Sequence, residues 1–189
     1  MKKLIITAVV IVVLALGIYY YIANIRTPVV HADEEATASK VQEVLFVNLD
    51  VRYPPTPKEV VRFFAEITRC LYNETYSDQD FTGLAEQLYT LYDEELKENN
   101  PWDDYLFDLS VDITGQRHDE YTVSSYLVSN STDVIYFSED GRDYARLHCL
   151  FTLRQGTNLI PVDYQFLLRR DDGGRWRILG WQKDEPVNT

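Results

Sequence analysis

Chemistry in this chain would have to come from few reactive side chains: three histidines and two cysteines among 189 residues. A general acid or base must reach its substrate, and none of the histidines falls on a face expected to turn inward. His31 lies in a polar stretch near the amino end. His118 lies in the turn His118-Asp119-Glu120, and His148 opposes the apolar residues of its strand. Cys70 and Cys149 are both expected in the core, where they would form either a disulfide or two thiols packed as small hydrophobes. The chain has no CxxC, HExxH, GxGxxG, GxxxxGK[ST] or GxSxG pattern. The acidic group Asp93, Glu94, Glu95, Glu98, Asp103 and Asp104 matches no EF-hand spacing and reads as a solvated helix end. No metal and no cofactor is expected, and the balance points away from an enzyme.

Arginine carries the stronger signal. From Arg142 to Arg177 there are seven arginines against four acids, whereas Asp33 to Gly141 holds seven bases and 24 acids. A net charge of −12 argues against nucleic acid as a partner. Arg146, Arg154, Arg169, Arg175 and Arg177 should share the outward face of a sheet with Tyr126 and Leu179. Arginine among aromatic and aliphatic side chains, without lysine, is an interface composition. That face is expected to bind a partner protein or a second copy.

The elements that must hold these residues are legible from periodicity. Ala145, Leu147, Cys149, Phe151 and Leu153 alternate with polar residues. So do Ile160, Val162, Tyr164, Phe166 and Leu168, and then Trp176 and Ile178. Alternation with period two marks strands with one covered face. Gly180 is a candidate bulge that would turn Trp181 inward; without it Trp181 joins the outer face. Tyr121, Val123, Ser125 and Leu127 extend the inner set, Val134 to Phe137 makes a short strand, and Tyr105 to Thr114 also alternates. Polar groups facing inward are then few, and Tyr121, Ser125, Tyr164 and Trp176 would mark any pocket.

Two amphipathic helices supply the cover. Thr56-Pro57-Lys58-Glu59 carries a cap, an N1 proline and a capping-box glutamate, followed by Val60, Phe63, Phe64, Ile67 and Leu71. A second helix from Ser77 or Asp78 carries Phe81, Leu84, Leu88, Leu91, Tyr92 and Leu96 on one stripe and stops at Asn99-Asn100-Pro101. Lys40 to Val51 reads as a further short helix. Helices first and strands afterwards give an α+β domain with two or three helices on one face of a curved antiparallel sheet.

Upstream, Leu4 to Ala23 is long enough to span a bilayer. Lys2 and Lys3 before it and Tyr19, Tyr20 and Tyr21 at its end predict an uncleaved anchor, with the amino end cytoplasmic and the domain outside. Val30-His31-Ala32 offers a cleavage site for the rival signal-peptide reading. The expected organisation is an anchor over 1–23, a tether over 24–39, the domain over 40–183 and a tail over 184–189. The tether reaches at most roughly 50 Å, keeping the domain near the membrane.

The order of elements and the closing hairpin LLRRDDGGRWRILGW resemble the nuclear-transport-factor-two-like (SnoaL-like, cystatin-like) cone over roughly Tyr53 to Trp181. The stretches YPPTPKEVV, CLYNETYSDQDF and DEELKENNP resemble small membrane-anchored bacterial proteins of a domain-of-unknown-function family. That cone hosts enzymes, binding modules and assembly subunits alike, so the resemblance implies a fold and no activity. Two functions are carried forward: a non-enzymatic anchored module acting through the outer sheet face, and a pocket that binds or transforms a small apolar ligand.

Overall fold

The computed structural model describes residues 39–184. Among these the chain forms five helices: α1 (Lys40–Leu45), α2 (Pro57–Asn73), α3 (Asp78–Leu91), α4 (Glu94–Asn99) and α5 (Trp102–His118). Five strands follow: β1 (Tyr121–Val128), β2 (Ile135–Glu139), β3 (Arg142–Gln155), β4 (Asn158–Arg170) and β5 (Trp176–Lys183). The fold is α+β. Its sheet runs β1-β3-β4-β5, with β2 pairing the same edge of β3 as β1. All pairings are antiparallel. Bulges at Ser124 in β1 and Leu179 in β5 break the register and curve the sheet.

The α2 start forms where expected. The Thr56 hydroxyl oxygen accepts from the Glu59 amide at 3.3 Å, and the Glu59 carboxylate accepts from that hydroxyl at 2.9 Å. Ser77 and Asp80 close a reciprocal capping box at α3. The turn between β2 and β3 puts both central residues at positive φ, Asp140 at 50° and Gly141 at 75°. That is the twist a two-residue hairpin demands. Val60, Ile67 and Leu71 of α2 and Leu84 and Leu91 of α3 bury fully against Leu147, Phe166, Leu168 and Ile178 of the sheet. Each such side chain contributes about 1.5–3 kcal/mol.

Two elements differ from expectation. The second helix does not run to Asn99 but breaks at Tyr92-Asp93. There the Asp93 amide donates to the Ile178 carbonyl at 2.8 Å, and its carboxylate accepts from the Glu95 amide. Leaving the helix lets the chain add a bridge to the β5 edge, and α4 restarts after it. The larger difference is Tyr105 to Thr114, which is helix rather than strand. As helix α5 it puts Leu109, Asp112, Ile113 and Gln116 on one side at spacings of three and four, and leaves Phe107 and Val111 exposed.

No helix among the described residues is long and apolar enough to cross a membrane. The expected anchor Leu4–Ala23, nearly all of the tether and most of the tail lie outside the described residues.

Candidate functional site

A hollow of about 320 Å³ opens between the helices and the inner face of the sheet. Successive turns of α2 bring Phe64, Thr68, Leu71 and Tyr72 to one wall, and α5 brings Leu109, Asp112, Ile113 and Gln116 to another. The sheet closes the third side with Phe151, Val162, Tyr164, Phe166 and Trp181. This size lies at the lower end of small-molecule sites, which are typically about 300–1,000 Å³ and mostly apolar with a few convergent polar groups.

The floor is aromatic. Phe64 meets Phe166 edge-on at 5.2 Å between ring centroids, and Trp181 stacks on Phe166 at 6.0 Å. The Leu179 bulge turns Trp181 to this side, the inward alternative for that residue. The polar groups gather around Asp112. The Tyr72 hydroxyl donates to Asp112 Oδ2 at 3.4 Å, and Gln116 Nε2 donates to Oδ1 at 3.5 Å. Asp112 is exposed and marks the mouth. Burial pushes the Tyr72 hydroxyl well up and raises that of Tyr164, and the Asp112 charge pushes both further. Both therefore stay protonated at neutral pH and serve as donors.

Of the expected pocket residues, Tyr164 lines the hollow. The other three do not. Tyr121 pairs with Gln155 at the outer end of β1, away from the lining. Ser125 turns outward because the extra residue at Ser124 shifts the strand by one, which reverses every side chain beyond it. Trp176 packs against Tyr136 at the far end of the sheet, with the Arg170 guanidinium over its ring.

The same bulge carries Tyr126 inward onto Phe151, where Arg69 lies over its ring, so Tyr126 leaves the expected outer set. Three of the five outer arginines are tied within the chain. Arg169 forms an ion pair with the buried Asp93 and a second, at 3.0 Å, with Glu95. Arg177 donates to Asp171 at 2.8 Å and to the Thr90 carbonyl, and stacks on Tyr53 at 4.5 Å. Arg175 reaches the Asp50 carbonyl at 3.0 Å. These groups latch the helical layer to the β5 edge. Arg146 and Arg154 stay exposed; Arg146 lies over Phe137 and beside Leu179 and Leu167 on the outer face.

His148 faces outward as expected, but in company. Its Nδ1 lies 3.1 Å from Asp163 Oδ2 and 3.7 Å from Asp184 Oδ2. Its Nε2 lies 3.2 Å from the Gln165 amide. Ligand-type atoms of His148, Asp163 and Asp184 lie within 4.8 Å of one another, the metal-type grouping present among the described residues, and His148 Nδ1 and Asp163 Oδ2 are already engaged with each other. Cys70 and Cys149 are free and buried, not bonded to each other. Burial first, then neighbouring carboxylates, push their thiols up to about 11 and about 12, so both stay protonated and inert.

The residue that alternation could not supply is Asp112, because a strand reading sends it to the face opposite Leu109 and Ile113. The recoverable signal is the i, i+3, i+4, i+7 set from Leu109 to Gln116. No curated protein matches the chain in sequence. Residues 1–181 match the family described as a domain of unknown function, DUF6715, and with that coverage the chain belongs to it.

Proposed function

We propose that this protein is a membrane-anchored binding module, with its domain outside the cytoplasm, that takes a small and largely apolar molecule into the hollow between helices and sheet. The anchor rests on the apolar run Leu4–Ala23 and the lysines before it. The helices-on-curved-sheet layout supports the nuclear-transport-factor-two-like cone. One observation carries the reading: an aromatic-floored hollow of about 320 Å³ whose polar groups, Tyr72, Asp112, Gln116 and Tyr164, converge near one another while mostly apolar side chains line the rest. Here hydroxyl donors and a carboxylate border open volume.

With Trp102 and Trp176 replaced by Phe, the fluorescence of Trp181 reads occupancy. Titrating the full chain with a small aromatic alcohol, 2-phenylethanol, should change emission saturably, and Val162→Phe, which fills the hollow, should abolish the change. An equal response from both proteins would remove the reading.

A second reading keeps the outer face as a surface for a second copy of the chain. It is favoured by Leu127 at 70% and Ile135 at 58% exposure, on the same side as the free Arg146. Self-association needs a self-complementary patch, and this face offers Arg146 and Arg154 along with Asp163 and Asp184. Sedimentation of the full chain would show a dimer that Leu127→Glu with Ile135→Glu converts to monomer; a monomer at every concentration would dismiss it.

A further inference from the structure

The charges around the hollow say more than its size, and the geometry points to a ligand of one class: a small organic ammonium ion carrying an apolar or aromatic group. This rests on the reading of the hollow as a binding site. Among the lining residues Asp112 is the one carboxylate, and no lysine, arginine or histidine lines the walls. An anionic ligand would meet a carboxylate with nothing to offset it. A neutral one would leave that carboxylate's strongest interaction unused.

The rest of the lining is built for a cation as well. Phe64, Phe166, Trp181 and Tyr92 form a contiguous aromatic group, with Trp181 5.2 Å from Phe64 and 5.7 Å from Tyr92 between ring centroids. Aromatic faces attract an ammonium group within about 6 Å, more strongly the less water surrounds it. An ammonium head at Asp112 therefore places its apolar body over rings that tolerate the positive charge. If the head goes deeper, the rings receive it and Asp112 compensates across the mouth. At about 30 Å³ for each water displaced, the hollow takes on the order of ten non-hydrogen atoms. Arginines nearby do not spoil this arrangement: Arg69 is engaged over Tyr126, and Arg117 donates to the Leu71 and Glu74 carbonyls.

Three ligands of matched shape separate charge from fit: 2-phenylethylammonium, 2-phenylethanol and phenylacetate. Each is titrated into the full chain carrying Trp102→Phe and Trp176→Phe in lipid nanodiscs, with empty nanodiscs subtracted and Trp181 emission as readout. The expected order is ammonium at least tenfold tighter than alcohol, with phenylacetate weakest. Asp112→Asn should bring ammonium and alcohol within about twofold of each other while alcohol binding holds, and Asp112→Glu should restore the preference. Because Asp112 is exposed and its contacts are long, neither change should unfold the domain, and an unchanged melting temperature checks this. Equal affinity for ammonium and alcohol, or tighter phenylacetate, overturns the cation assignment and leaves the pocket standing. No binding of any of the three, with Val162→Phe indistinguishable from the unaltered chain, overturns the pocket itself.

Discussion

Two polar regions of this domain are built in opposite ways. Along the β5 edge, Arg169, Arg175 and Arg177 are fully engaged with Asp93, Asp171, Tyr53 and backbone carbonyls of the helical layer. Around the hollow, Tyr72, Gln116 and Asp112 meet only through contacts of 3.4–3.5 Å, and Tyr164 faces the same open volume. The first region spends its hydrogen-bonding capacity on holding the fold. The second keeps capacity in reserve beside a space that a ligand can enter. Residue type alone does not separate the two, since arginine among aromatics is an interface composition by count and a latch by geometry.

That contrast predicts unequal costs. Arg169→Ala should have the largest effect on stability, because it strands the Asp93 carboxylate, which is 5% exposed. Breaking a buried pair from one side costs about 3–5 kcal/mol, roughly a 10 °C fall in melting temperature for a domain of this size. A loss below 1 kcal/mol would mean that Asp93 finds other partners and the latch is slack.

Asp171 gives a smaller effect with a pH signature. Burial pushes its carboxyl up, but the Arg177 guanidinium and the Arg175 amide outweigh this and hold it below its ordinary value near 3.8. A depressed folded-state pKa adds stability above the unfolded value and loses it as pH falls through the folded one. Urea unfolding should therefore show the native chain losing stability relative to Asp171→Asn as pH falls from about 5 through the depressed folded-state value. Parallel curves for the two proteins would contradict the pairing.

At the small end, Arg146→Glu and Asp112→Asn should each change stability by less than about 0.5 kcal/mol, as surface changes do. Their effects should instead divide by function: Asp112 changes ligand preference and Arg146 leaves it alone. Differential scanning calorimetry beside the ligand titrations checks both. If Arg146→Glu melted as early as Arg169→Ala, the distinction between free and latched arginines would collapse.

Much of the sheet was readable beforehand because β3 and β4 alternate over more than ten residues, so a slip of register is costly and faces are fixed. The faces of Arg146, Tyr164 and Phe166 followed. What could not be read were single-residue irregularities. One extra residue at Ser124 exchanges the faces of Ser125 and Tyr126, and nothing in YTVSSYLV announces it. The α5 segment misled for another reason: Phe107, Leu109, Val111 and Ile113 alternate strictly, and in the helix they divide between two faces, Leu109 and Ile113 toward the hollow and Phe107 and Val111 exposed, so no single apolar stripe marks it. Pro101 followed by acids Asp103 and Asp104 in the first turn favoured the helix. Long-range partners were invisible too, since Arg169 and Asp93 are 76 positions apart.

Where an organic ammonium ion sits on the full chain is the most direct question. Recording amide and side-chain chemical shifts with and without 2-phenylethylammonium answers it. Shifts should concentrate at Tyr72, Asp112, Tyr164 and the Trp181 indole, leaving Arg146, Leu127 and His148 unmoved. Shifts confined to the outer face, with the Trp181 indole unchanged at saturation, would contradict the account.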